Sequence, residues 1–340
     1  MLFLCISQNL YIYCVIFLVR KTLRTHPYTT NLSIIFIYAN MSEKYLRRHI
    51  TMFKIGVIGD EVSQDFATVV NFVNEYNLDS IEIRSVWDKL PHQLTNADID
   101  EMKRLLDGTD IEIIGVASPF FKCDMDNEQE RKEHLDILKG CIQTAKAFNT
   151  NLIRTFVFWD TGKTVERWDE IISSYDEPRK IIDDEGIILG MENESTTSLS
   201  TAKLTAQFIE EIDSPNIRGI WDPANEAHAK DGITPYPDAY NQMKPTMVHA
   251  HLKDAAPNPD SGEMESVPVG DGVIDWQGQL QAFVDDGYDG HLCLETHWRP
   301  TLKIDDDLLN RPGGKAFSEA GEEASRICIE KLQGMIDNLK

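Results

Sequence analysis

From Phe53 to the C-terminus, short apolar, largely β-branched runs alternate with longer stretches in which apolar positions recur three and four residues apart. The short runs are FKIGVIG (53–59), SIEIR (80–84), IEIIGVA (111–117), NLIRTFVFW (151–159), GIILGME (186–192), IRGIWD (217–222), MVHAHL (247–252) and HLCLE (291–295). They predict eight strands, and their near-continuous apolarity predicts cover on both faces, as in a parallel sheet. Helices are predicted over 65–76, 97–108, 128–148, 164–184, 199–212, 237–244, 276–286 and 318–338. In the third of these, Leu135, Ile137, Leu138, Cys141, Ile142 and Ala145 fall at helical spacing. Eight strand–helix units over residues 52–340 predict an α/β fold, a closed (β/α)8 TIM barrel forming a single catalytic domain. An open doubly wound sheet would call for a nucleotide fingerprint, and no GxGxxG follows the first strand. The Pro/Gly/Asp-rich stretch from Ala255 to Gly272 reads as a long loop on a substrate-covering rim.

Residues 1–51 follow a different pattern. They carry six basic residues and one acidic residue, Glu43, whereas the remainder carries 27 basic and 55 acidic residues. The opening MLFLCISQNLYIYCVIFLV is apolar, is interrupted by Ser7, Gln8 and Asn9, and precedes Arg20, Lys21 and Arg24. A membrane helix needs roughly 20 apolar residues. Three readings compete: an anchor in the first 20 residues, a targeting segment, or an extension outside the working protein with Met41 or Met52 as the start. Membrane contact is expected only under the first.

Charge and cysteine usage narrow the function class. A formal charge of -23 disfavours a grip on nucleic acid, which needs clustered Lys and Arg. The six cysteines are scattered without a CxxC pair, as in a reducing, cytoplasmic setting.

Four potential metal ligands close consecutive apolar runs: Glu192, Asp222, His251 and Glu295, spaced by 30, 29 and 44 residues. Parallel strands ending at one rim would bring them together. Three carboxylates and an imidazole suit Mn²⁺ or Mg²⁺ and tolerate Co²⁺ or Zn²⁺. Each has a plainer reading. Asp222 could only cap the next helix; His251 could be a satisfied core histidine; Glu194 shares strand parity with Glu192 and rivals it. His249 shares parity with His251, one layer below. Lys253 and Asp254 extend the polar rim. Weaker substrate-contact candidates are Glu82, Lys122, Arg154, His249, Lys253 and His297, with Arg84 beside Glu82. An Arg–Glu pair that merely holds the barrel together is the alternative for Glu82, Arg84 and Arg154.

Eight segments carry a specific resemblance: GVIGDEVSQDF, IEIRSVWDK, GVASPFFK, GMENES, WDPANEAH, HAHLKDA, VPVGDGVIDW and LCLETHW. The chain resembles the xylose-isomerase-like (AP endonuclease family 2-like) TIM-barrel superfamily, in its sugar phosphate isomerase/epimerase branch. That resemblance implies one divalent metal held by Glu192 in MEN, Asp222 in WDPAN, His251 in HLKD and Glu295 in LETHW. It implies proton abstraction beside a carbonyl through a cis-enediolate, with Glu192 and Glu295 as base and acid while remaining ligands. The substrate expected is a ketose, sugar phosphate or related polyol. The same first step serves dehydration of an inosose-like polyol. Relatives that epimerise free ketoses place an arginine six positions after the metal histidine; here Pro257 stands there. Two further readings are a non-catalytic sugar-binding barrel and an endonuclease acting on abasic DNA. The latter would use three metals and more histidines than the seven after residue 51. Relatives leave a homo-oligomer open.

Overall fold

In the computed structural model, residues 53–340 are described. The apolar opening segment lies outside the described residues. Among those described, no helix is long and apolar enough to cross a membrane.

The eight expected strands close into a parallel barrel. The first seven are β1 (Lys54–Ile58), β2 (Ser80–Ile83), β3 (Glu112–Ala117), β4 (Leu152–Thr155), β5 (Ile188–Glu192), β6 (Ile217–Trp221) and β7 (Met247–Leu252). An inserted hairpin of β8 (Asp254–Pro257) and β9 (Met264–Val267) follows, and β10 (His291–Leu294) is the eighth strand of the barrel. Each barrel strand pairs with its neighbours in chain order, and β10 closes the ring against β1 through Lys54–His291 to Val57–Leu294. Helices follow the strands and cover the outside. The longest, Glu128–Ala147, is started by Asn127, whose side chain accepts from the Gln129 and Glu130 amides. Its buried Leu138, Cys141, Ile142 and Ala145 lie on one face toward the barrel. The four described cysteines, Cys123, Cys141, Cys293 and Cys328, are free and buried.

The structure corrects four boundaries. The fourth strand stops at Thr155 instead of Trp159. Beyond it, Phe156, Phe158 and Trp159 donate their amides to the carbonyls of Phe120, Phe121 and Cys123, so the chain zips onto the β3 exit loop. The helix expected over 164–184 is two helices, Trp168–Ser173 and Asp176–Glu185, broken at Ser174–Tyr175. Tyr175 is fully buried and its hydroxyl donates to the Phe156 carbonyl, an inward anchor at the break. The expected helix 237–244 is helical only over Tyr240–Met243 as a regular α-turn, behind a wide turn at Pro235–Ala239.

The fourth correction concerns the rim. The expected loop Ala255–Gly272 contains the antiparallel hairpin of β8 with β9. Asp254 organises its base: Oδ2 accepts from the Gly270 and Gly272 amides, and Oδ1 from those of Ala255 and Ile274. Gly272 has to be glycine here, because a Cβ would collide with Asp254 Oδ1 and the Ala255 carbonyl. Asp254→Ala should therefore orphan two buried and two partly buried amides and cost roughly 2–4 kcal/mol. Urea unfolding, with limited proteolysis between residues 256 and 272, checks this; an unchanged midpoint and unchanged protection would contradict it.

Candidate metal centre at the barrel mouth

The pleat sends alternate residues of each strand inward. At the C-terminal rim this brings together ligand atoms of Glu192 from the end of β5, Asp222 just past β6, His251 on β7 and Glu295 just past β10, all within 4.8 Å of one another. All four residues are buried. His251 Nδ1 lies 2.9 Å from Glu192 Oε1, 3.5 Å from Glu295 Oε2 and 4.0 Å from Asp222 Oδ2.

Asp222 caps the next helix and still reaches the cluster. Its Oδ1 accepts from the Ala224 and Asn225 amides, capping the helix Pro223–His228, which leaves Oδ2 facing the cluster. Asn193 fixes its backbone, donating to the Asp222 carbonyl and accepting from its amide. Glu192, not Glu194, reaches the cluster; Glu194 pairs instead with Lys122 at 3.1 Å.

The donor set fits a hard divalent cation. Glu192 Oε2 and Asp222 Oδ2 are buried without a hydrogen bond. Arg154 Nη1 at 3.2 Å and Lys253 Nζ at 2.8 Å make charge contacts with them outside hydrogen-bonding alignment. Unsatisfied buried carboxylate oxygens are costly, and coordination would remove that cost. Around this group the mouth holds the carboxylates of Asp60, Glu61, Glu82, Glu192, Glu194, Asp222 and Glu295 against the cations Arg84, Lys122, Arg154, Lys253 and Arg299.

Burial pushes the His251 imidazolium down, yet Glu192, Glu82 and Glu295 more than reverse this and hold its pKa well above the ordinary value. Burial raises the Asp222 carboxyl to about 7 against the opposing pull of Lys253. Glu295 stands well below the usual carboxylate range: burial opposes this, and Lys253, His297, His251 and Arg84 outweigh it. An entering cation must displace the proton held on His251 and, below about pH 7, also the one on Asp222. Apparent affinity for Mn²⁺ should therefore fall as pH is lowered, by about tenfold per pH unit for each proton released, and more steeply below about 7, where Asp222 takes up its proton. Calorimetric titrations in two buffers of different ionisation enthalpy check the proton release; a pH-independent affinity would contradict it.

The other sequence candidates form the surroundings of this cluster. Glu82 Oε2 lies 3.1 Å from His249 Nε2 and 3.2 Å from His251 Nε2, so it orients the face of His251 turned away from the carboxylates. His249 sits one layer down and is buried. Arg154 Nη1 also lies 3.3 Å from Glu295 Oε1, bridging the two glutamates. Lys253 Nζ lies 3.0 Å from Glu295 Oε2. His297 Nε2 lies 3.3 Å from Glu61 Oε1 and 3.5 Å from Glu295 Oε1, and its pKa is lowered to about 3 by burial. Two further groups of potential ligands, Glu82–His249–His251 and Glu61–Glu295–His297, share residues with the first.

Sequence reasoning passed over Asp60, Glu61 and Arg299. Arg84 is clamped by Asp60 at 2.9 Å, Glu61 at 2.8 Å and Glu295 at 2.7 Å. Arg299 holds Glu61 at 3.2 Å and the Phe317 and Glu319 carbonyls, tying residues 317–319 to the mouth. The signal available was the acidic pair in GDEV directly after the first strand, at the same rim as the other strand-end carboxylates.

Two cavities open above the cluster, of about 570 Å³ and about 440 Å³. Lys253, Asn225 and Trp298 line the first; Arg154, Lys122 and Glu295 line the second; Glu194 and His297 border both. Trp221 takes no part: it is buried in the barrel–helix layer, with Nε1 donating to Gln279.

A family model described as the xylose isomerase-like TIM barrel matches residues 70–322. The chain belongs to that family. No curated protein sequence matches it significantly. Among solved structures, the IolI protein with a bound zinc atom is 18% identical, with a TM-score of 0.65 over 85% of this chain and 99% of that one. A D-tagatose 3-epimerase-like protein is 21% identical, with a TM-score of 0.58 over 82% of this chain and 100% of that one. The 3-keto-D-glucoside 4-epimerase of E. coli is 14% identical, with a TM-score of 0.57 over 81% and 99%. At these identities the likeness to solved structures is one of fold.

Proposed function

We propose that this family member is a divalent-cation-dependent isomerase or epimerase acting on a ketose or related polyol, with Glu192 and Glu295 transferring the substrate proton. The observation that carries the reading is the convergence of Glu192, Asp222, His251 and Glu295 on one buried point, with Glu192 Oε2 and Asp222 Oδ2 lacking hydrogen bonds. The epimerase names borne by two of the similar structures support it. Bound there, a cation would polarise a substrate carbonyl and stabilise negative charge developing on its oxygen.

The protein's own groups supply the rest. A carbon acid beside a carbonyl requires a base close to it, and two carboxylates at one point can take a proton and return one. Arg154, in contact with both Glu192 and Glu295, fixes their spacing. Glu82 holds the His251 ring in one orientation. Lys122 and Glu194, paired beside the smaller cavity, would bind substrate hydroxyl groups.

The deciding experiment incubates the Mn²⁺-loaded protein with ketoses, ketose phosphates and inososes in D₂O and follows carbon-bound deuterium by NMR. Metal-dependent deuterium entry is expected for at least one substrate, and the labelled product names the reaction. Tight binding of a polyol without exchange would replace this reading with a binding role.

A further inference from the structure

Lys253 occupies an unusual position for a fixed charge beside a cation site. Its Nζ lies 2.8 Å from Asp222 Oδ2 and 3.0 Å from Glu295 Oε2. Asp222 has no other oxygen to offer, since Oδ1 is committed to the Ala224 and Asn225 amides. The same side chain lines the larger cavity beside Asn225, His228 and His297. Thus one buried ammonium, 3% exposed, bridges two of the four converging side chains and also borders the space above them.

Resting on the cation reading above, we propose that Lys253 is a resident counter-cation and positioning residue: it balances Asp222 and Glu295 before a divalent ion enters, yields Asp222 Oδ2 as the ion arrives, and turns its Nζ into the larger cavity to receive a substrate oxygen. Two cations cannot share one carboxylate oxygen at contact distance without strong repulsion in a site shielded from water. A four-carbon stem with rotatable bonds lets Nζ move while the backbone stays fixed. Entry of the ion and readiness for a polyol oxygen are thereby coupled, giving binding in the order cation, then substrate.

The coupling is tested by Mn²⁺ titration of the full chain, read by calorimetry and by the EPR signal of free Mn²⁺. Lys253→Met removes the competing charge at similar length, and its Mn²⁺ Kd should tighten by at least about tenfold. Lys253→Gln, which keeps a donor for Asp222, covers the case in which the methionine variant fails to fold and should tighten binding in the same direction. Lys253→Arg should leave the affinity within a few-fold of the parent. In Mn²⁺-loaded Lys253→Gln, KM for the substrate found by deuterium exchange should rise. Damage to the site would weaken metal binding, so the sign separates the two explanations. Unchanged or weaker Mn²⁺ binding by both neutral variants would overturn the role of Lys253 while leaving the cation site standing. Absence of Mn²⁺ binding by the parent protein would remove the site and this proposal together.

Discussion

Glutamine at position 192 should lower the rate of deuterium entry at substrate carbon by at least about 10³-fold, even at saturating Mn²⁺. The change is isosteric, so packing around the buried side chain is retained. Glutamine cannot accept a proton from carbon, and it offers the cation a weaker ligand. Glu295→Gln should cost a similar factor in the rate of epimerisation, because one residue removes the substrate proton and the other delivers a solvent-derived proton to the opposite face. Both variants should keep the parent's circular dichroism. Exchange within tenfold of the parent in both variants, measured with metal saturated, would rule out proton transfer by this pair.

Arg84→Met should be the most destabilising single change at the mouth, at roughly 3–5 kcal/mol. The guanidinium contacts Asp60, Glu61 and Glu295 and lies over the Phe317 ring at 4.6 Å. Burial raises the Glu61 carboxyl, but Arg84, His297 and Arg299 together bring it down to about 2, so it is held ionised in the fold. Removing one partner leaves several buried carboxylates short of a cation, which costs more than the pair contributes. The melting temperature should fall by roughly 10 °C, given the size of the barrel. Urea unfolding monitored by tryptophan fluorescence checks it, and a loss below about 1 kcal/mol would show that water or proton uptake replaces the guanidinium. Because Glu61's pKa is depressed, its stabilising share is present above the ordinary carboxylate pKa and is lost as pH falls toward about 2. Arg84→Met should flatten that part of the acid-unfolding profile.

The barrel and the convergence of Glu192, Asp222, His251 and Glu295 were legible in the sequence for one physical reason. Parallel strands leave a period of strand plus helix in the chain, and closure puts every strand end on one rim. A carboxylate or imidazole ending each of four consecutive runs therefore implies a meeting point without any knowledge of side-chain positions. The local pattern also located the long helix at 128–148 to within a residue, because its apolar face is continuous.

Tertiary structure decided what depends on partners distant in the chain. Strand 4 ends early because Phe156 and Phe158 find carbonyls on the β3 exit loop. The hairpin after Asp254 forms because one carboxylate gathers four amides up to 20 residues away. Glu194 shares parity with Glu192 yet turns to Lys122, which lies 72 residues earlier. Arg84 joins the end of β1 to the residue after β10, a pairing separated by 211 residues for Glu295. Periodicity reports which face of a strand or helix a residue occupies. Which charge meets which in the mouth is set by barrel closure, and no window along the chain contains both partners.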